Sequence, residues 1–114
     1  MNVDLFINGI PKVEFKMEYL KEKGLILLEF YAKWSGASHI MDPVFKEIRD
    51  KFANEIRFFR LDFDENKDIA EQFGLRNAPA YILFRNGKVV DQYQGMIQKK
   101  IILNRIKILI RSNN

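Results

Sequence analysis

Leu25-Ile26-Leu27-Leu28-Glu29-Phe30-Tyr31 is apolar at every position but one. A strand built from a run without polar alternation has to be covered on both faces. The segment that follows, 36–52, carries Ile40, Val44, Phe45, Ile48 and Phe52 at helical spacing. A two-sided strand leading into an amphipathic helix points to an α/β arrangement. At 114 residues the chain has the length of one domain, 1–114, with a core of its own.

The remaining elements fall around this pair. Residues 3–8 read as a short edge strand ending near Asn8-Gly9. Val13 to Lys23 reads as a helix with Gly24 just beyond its end. The buried strand covers 25–32, and helix 36–52 holds Pro43, which is expected to kink it. A third strand spans Ile56 to Phe63 and breaks at Asp64-Glu65-Asn66. A short helix follows over 67–73, closed by Gly74. Strands at 81–84 and 88–93 flank Asn86-Gly87, a strong hairpin signal, and 97–111 forms the last helix. The order is β-α-β-α-β-α-β-β-α around a mixed sheet.

Between the buried strand and its helix lies Trp34-Ser35-Gly36-Ala37-Ser38. A strand-to-helix turn of this kind suits a Cys-x-x-Cys loop, because a thiol at a helix N-terminus has a lowered pKa. Dithiol exchange needs one thiolate to attack a disulfide and a second thiol to resolve the product. Here serine holds both sulfur positions, and the chain has no cysteine at all. A serine hydroxyl is not appreciably ionised near neutral pH and forms no disulfide, so dithiol exchange is excluded for this polypeptide. Structural disulfides and thiolate metal sites are excluded with it.

These residues and their order resemble the thioredoxin family over roughly 13–110. The family loop is Trp-Cys-Gly-Pro-Cys. Trp34 and Gly36 match it, Ser35 and Ser38 replace the cysteines, and Ala37 replaces the proline. Pro43 lies five residues after Ser38, as the family's helix proline does. Asp62-Phe63-Asp64 matches its Asp-x-Asp. Gly74-Leu75-Arg76-Asn77-Ala78-Pro79 resembles its cis-proline segment, Phe84-Arg85-Asn86-Gly87-Lys88 its hairpin, and Gly95 the glycine of its substrate groove.

The resemblance implies a thioredoxin fold and a family role in cytoplasmic protein disulfide reduction and cell redox homeostasis. Ser35 would stand at the nucleophile position and Ser38 at the resolving position. Glu29 takes the place of the buried acid and Arg60 that of the lysine near it. An arginine is too basic to relay protons. Glu29 and Arg60 therefore read as an ion pair beneath the loop, against the alternative that Arg60 extends into solvent and Glu29 stands alone.

The resemblance also implies a peptide groove over Trp34, Gly36, Ala37, Ala78, Pro79 and Gly95. An extended protein or peptide partner would pair its backbone beside Ala78. Three roles stay open: a redox-inactive peptide binder, an engineered Cys-to-Ser form of an active reductase, and a structural subunit acting through the last helix. Thioredoxin reductase is a partner only if the native chain carries cysteines.

Other chemistry has little support. Net charge is +4, with the excess near Lys99, Lys100, Arg105, Lys107 and Arg111. No nucleic-acid module accompanies it. Ser35, His39 and Asp42 lie along one helix, a poor arrangement for a triad. One histidine without thiolates makes no metal site, and no cofactor is expected. The start has no basic segment followed by a long apolar run, so neither a leader nor a membrane span is expected. Ile102, Leu103, Ile106, Leu109 and Ile110 are expected to face the sheet. Ile97, Ile101 and Ile108 form a second stripe, read here as scattered exposed residues on a monomer, against the alternative of a dimer or partner surface.

Overall fold

A computed structural model describes residues 3–7, 10–12 and 15–112, the first two of these segments through their backbone alone. Six strands form one sheet in the order β2-β1-β4-β3-β5-β6. They span Val3–Ile7 (β1), Ile10–Lys12 (β2), Leu25–Tyr31 (β3), Ile56–Asp62 (β4), Ala80–Arg85 (β5) and Lys88–Gln94 (β6). The described residues also form three α-helices: Gly36–Lys51 (α1), Lys67–Gln72 (α2) and Lys99–Arg111 (α3). β3 runs parallel to β4 and antiparallel to β5, so the sheet is mixed.

The run at 25–31 does what its composition requires. β3 is central, and all its residues but Tyr31 are buried. Ile26, Leu28 and Phe30 enter a cluster with Ile69 and Ala70 of α2 and with Phe59 and Leu61. Leu25 and Leu27 enter a second cluster with Met41, Phe45 and Ile48 of α1 and Ile102, Ile106 and Leu109 of α3. Strand alternation places Glu29 on this second face, among apolar side chains.

Two expectations are corrected at the N-terminal side. β1 is not an edge, because β2 pairs with it antiparallel and takes that place. Pro11 lies within β2, where an edge strand tolerates the missing amide donor. The helix expected over 13–23 is a 3₁₀ helix at Met17–Lys21, and residues 13 and 14 lie outside the described residues. Phe15, Met17 and Tyr19 pack on the first cluster two residues apart, a spacing that does not build one face of an α-helix.

α1 runs through Pro43 without interruption. Ile40 is 61% exposed and Met41 takes the core position instead. At the hairpin, Asn86 and Gly87 both have positive φ, 50° and 82°, as a tight β5–β6 turn needs. Among the described residues, no helix is long and apolar enough to cross a membrane.

Candidate functional site at the N-terminus of the first helix

Ser35 is the N-cap of α1, with φ −91° and ψ 116°. Its Oγ accepts from the Ser38 amide at 3.1 Å and donates to the Ala78 carbonyl at 3.3 Å. Serine is among the best N-caps because its short side chain reaches the free amides of the first turn. Ser38 Oγ accepts from the buried Ala32 amide at 3.1 Å. Both serines are nearly inaccessible, at 6% and 1% exposure. Each hydroxyl thus holds the loop to its surroundings.

The bond from Ser35 brings the loop against Ala78, and the Ala78–Pro79 peptide is cis. The Pro79 carbonyl accepts from the Gly95 amide at 2.7 Å, and Gly95 has φ +84°. Two hydrogen bonds therefore link three chain segments: 34–38, 78–79 and 95–96. Gly36 is exposed and Ala37 half-buried. Trp34 and Met96, at 64% and 59% exposure, add apolar surface to the linked segments.

Trp34 is anchored although it is exposed, since its indole N–H donates to Asp64 Oδ2 at 2.7 Å. Asp64 is positioned in turn by Asp62, whose Oδ1 accepts from the Asp64 amide at 2.9 Å and the Glu65 amide at 3.3 Å. Asn66 donates from Nδ2 to the Asp62 carbonyl at 2.8 Å. The Asp62-Phe63-Asp64 pattern is thus a turn that holds the indole. The sequence signalled the motif, but not that Asp64 reaches Trp34.

Beneath α1 lies a second polar group. Arg60 Nε is 3.3 Å from Glu29 Oε1, and Arg60 Nη2 is 2.5 Å from Asp42 Oδ1. The guanidinium also sits 3.8 Å from the Tyr31 ring centroid, a cation–π distance. Sheet register explains the group, because Glu29 lies opposite Arg60 on β4 and Tyr81 on β5. Tyr81 stacks on Phe45 with centroids 4.2 Å apart. Burial raises the Glu29 carboxyl from 4.5 to about 7, against the lowering effect of Arg60. The Tyr81 hydroxyl is pushed well above its ordinary value by burial, helped by the charges of Glu29 and Asp42. Among the described residues, neither Glu29 Oε2 nor the Tyr81 hydroxyl has a hydrogen-bond partner.

Asp42 and Tyr81 were not singled out as members of this group. Tyr81 was findable, since antiparallel pairing of 25–31 with 80–85 sets it opposite Glu29. Asp42 was not, because the reach of Arg60 is a matter of rotamers. The Ser-His-Asp idea is dispersed by the structure. His39 Nε2 donates to the Lys33 carbonyl at 2.7 Å, Asp42 binds Arg60, and Ser35 Oγ serves Ser38 and Ala78.

Comparison with known proteins agrees with this architecture. The thioredoxin family model matches residues 7–108. "Thioredoxin" of Chlorobaculum thiosulfatiphilum is 34% identical over 92 residues, covering 81% of this chain and 85% of the relative. "Thioredoxin 1" of Synechococcus elongatus is 30% identical over 98 residues, covering 86% and 92%. One similar solved chain comes from a study of the thiol resolving mechanism in yeast mitochondrial 1-Cys peroxiredoxin via glutathione/thioredoxin systems. It superposes with a TM-score of 0.75 at 26% identity, covering 82% of this chain and 86% of that one. With the strand order, the loop and the family match in agreement, the chain belongs to the thioredoxin family.

Proposed function

We propose that this chain binds an extended peptide or protein segment across the rim formed by Trp34, Gly36, Ala37, Ala78, Pro79 and Gly95, without catalysing disulfide exchange. The observation that supports it most is the joining of segments 34–38, 78–79 and 95–96 by the Ser35–Ala78 and Gly95–Pro79 hydrogen bonds, with Trp34 and Met96 exposed on them. An anchored aromatic ring loses little freedom on binding and offers a large contact area. The Ala78 carbonyl accepts one hydroxyl and keeps a second lone pair for a ligand amide. No covalent capture is available, since no thiol exists in the chain. Binding therefore rests on backbone pairing and the apolar rim.

The test is selection of peptides from a random library against the intact chain, followed by amide shift mapping. Selected peptides are expected to move Trp34, Ala78, Gly95 and Met96 and to lose affinity in Trp34→Ala. Shifts confined to other surfaces, or affinity unchanged in Trp34→Ala, would overturn this reading.

A second reading, a reductase silenced only at its two sulfur positions, is favoured by one observation. Ser35 caps the N-terminus of α1, where the partial positive charge of the helix would stabilise a thiolate. The double variant Ser35→Cys/Ser38→Cys is the test, with turnover of a model protein disulfide by excess dithiol as the readout. Recovered turnover supports the silenced reductase. A folded but inactive double variant leaves the dedicated binder.

A further inference from the structure

α3 carries five cations, Lys99, Lys100, Arg105, Lys107 and Arg111, and no acidic residue. Its core face is Ile102, Ile106 and Leu109. To one side of that face Ile101 and Ile108 remain about half exposed, at 49% and 51%, with exposed Asn104 between them. Their spacing, three then four, is that of a coiled-coil seam. Lys100 and Lys107 each precede an isoleucine, and so occupy one flank at matching heptad positions; Arg105 lies on the other flank. Lys99 is paired with Glu47 at 2.6 Å and Arg105 with Asp91. Lys100, Lys107 and Arg111 have no acidic partner among the described residues.

We infer that this outer face of α3 is a docking seam for an amphipathic helix of another protein, one whose apolar ridge is flanked by Glu or Asp. Charge complementarity chooses the occupant, because flanking charges set partner choice between packed helices. A second copy of this chain would set lysine against lysine or arginine. A bilayer is the poorer fit, since interfacial helices bury a broad apolar face, often with aromatic anchors. The broad face of α3 is already in the core, and the helix contains no aromatic residue. The seam spans about 10 Å between the two isoleucines, so the complex should be weak and should weaken further with salt. The inference is independent of the peptide rim.

The experiment titrates the intact chain with a lactam-bridged helical peptide of about three heptads, with leucine at the seam and glutamate on both flanks. A matched peptide with lysine flanks and vesicles of phosphatidylserine and phosphatidylcholine serve as alternatives. The glutamate peptide is expected to shift amides of Lys100, Ile101, Asn104, Lys107 and Ile108, and the lysine peptide to leave them in place. Ile101→Ser/Ile108→Ser should weaken binding by about tenfold or more. Lys100→Glu/Lys107→Glu, at one exposed and one half-buried lysine, should reduce the preference for the glutamate peptide or reverse it. Equal binding of both peptides, binding to vesicles alone, shifts elsewhere, or no binding at all would each overturn the inference.

Discussion

At the N-terminus of α1, Ser35 and Ser38 commit their oxygens to backbone groups of Ser38, Ala78 and Ala32. Beneath the same helix, Glu29 and Tyr81 each bury an oxygen without a hydrogen-bond partner among the described residues. Both regions put polar atoms into an apolar setting, but they differ in charge. A hydroxyl is small, neutral and able to donate and accept at once, so the surrounding backbone can satisfy it. A carboxylate needs several partners, and Arg60 supplies one contact to Glu29 while dividing itself with Asp42. Burial of a charge then outweighs the attraction of one neighbour, and the carboxyl holds its proton into the neutral range. The serine region is a fixed structure, whereas the glutamate region is a titrating one.

The largest effect that can break this contrast is in pH dependence. The folded-state value of Glu29 lies above its ordinary one, so the unfolded chain releases the proton first as pH rises. Stability from this group is whole below about pH 4.5 and falls as pH rises through about 7. The full loss corresponds to about 3 kcal/mol. Chemical denaturation at pH 5 and pH 8 should show it in the wild type, while Glu29→Gln should be flatter by most of that amount. Equal slopes in the two proteins would remove the distinction between the regions. Arg60→Met should push the Glu29 midpoint higher still, followed by carbon-13 shifts of its carboxyl. An ordinary carboxyl midpoint in both proteins would refute the pairing.

Next in size is Ser38→Ala. It leaves the Ala32 amide buried without its acceptor, at a cost of about 1–3 kcal/mol, read by denaturation at a single pH. A neutral result would mean that the loop relaxes and finds another acceptor. Ser35→Ala should cost about 1 kcal/mol as a lost N-cap, and Ser35→Asp should recover most of it if capping is the role. The smallest expected change is in Asp64→Asn. It keeps an acceptor for the exposed Trp34 indole but removes the charge, worth a few tenths of a kcal/mol. Indole N–H exchange measures it directly.

Much of this was legible in the chain. The apolar run at 25–31 has one satisfactory place in a sheet, the centre, and Asn86-Gly87 fixed the hairpin through its need for positive φ. The loop stood out because serine replaces cysteine within otherwise matching surroundings. What failed was short and local. Ile10-Pro11-Lys12 is too brief to show a period and gains strand character only by pairing with β1. Phe15, Met17 and Tyr19 pack on the core at and just before a 3₁₀ turn, and a glycine such as Gly24 ends a 3₁₀ turn as readily as an α-helix. Ile40 fits a helical apolar stripe, yet it points outward because Met41 fills the space over the sheet. Position could be read at the serines, but their hydrogen bonds could not, since Ala32 and Ala78 come close only in the folded chain.

Trp34 is the sole tryptophan of the chain, and it lies outside the core, tethered at its N–H. Its fluorescence is therefore blind to much of what unfolding usually reveals. The ring is already wet in the native state, so denaturation should move the emission maximum little. A ligand that covers the rim, or loss of the Asp64 tether, would change emission while the core stays intact. Light from this one side chain reports occupancy of the surface around α1, and the stability of the fold has to be followed by other means.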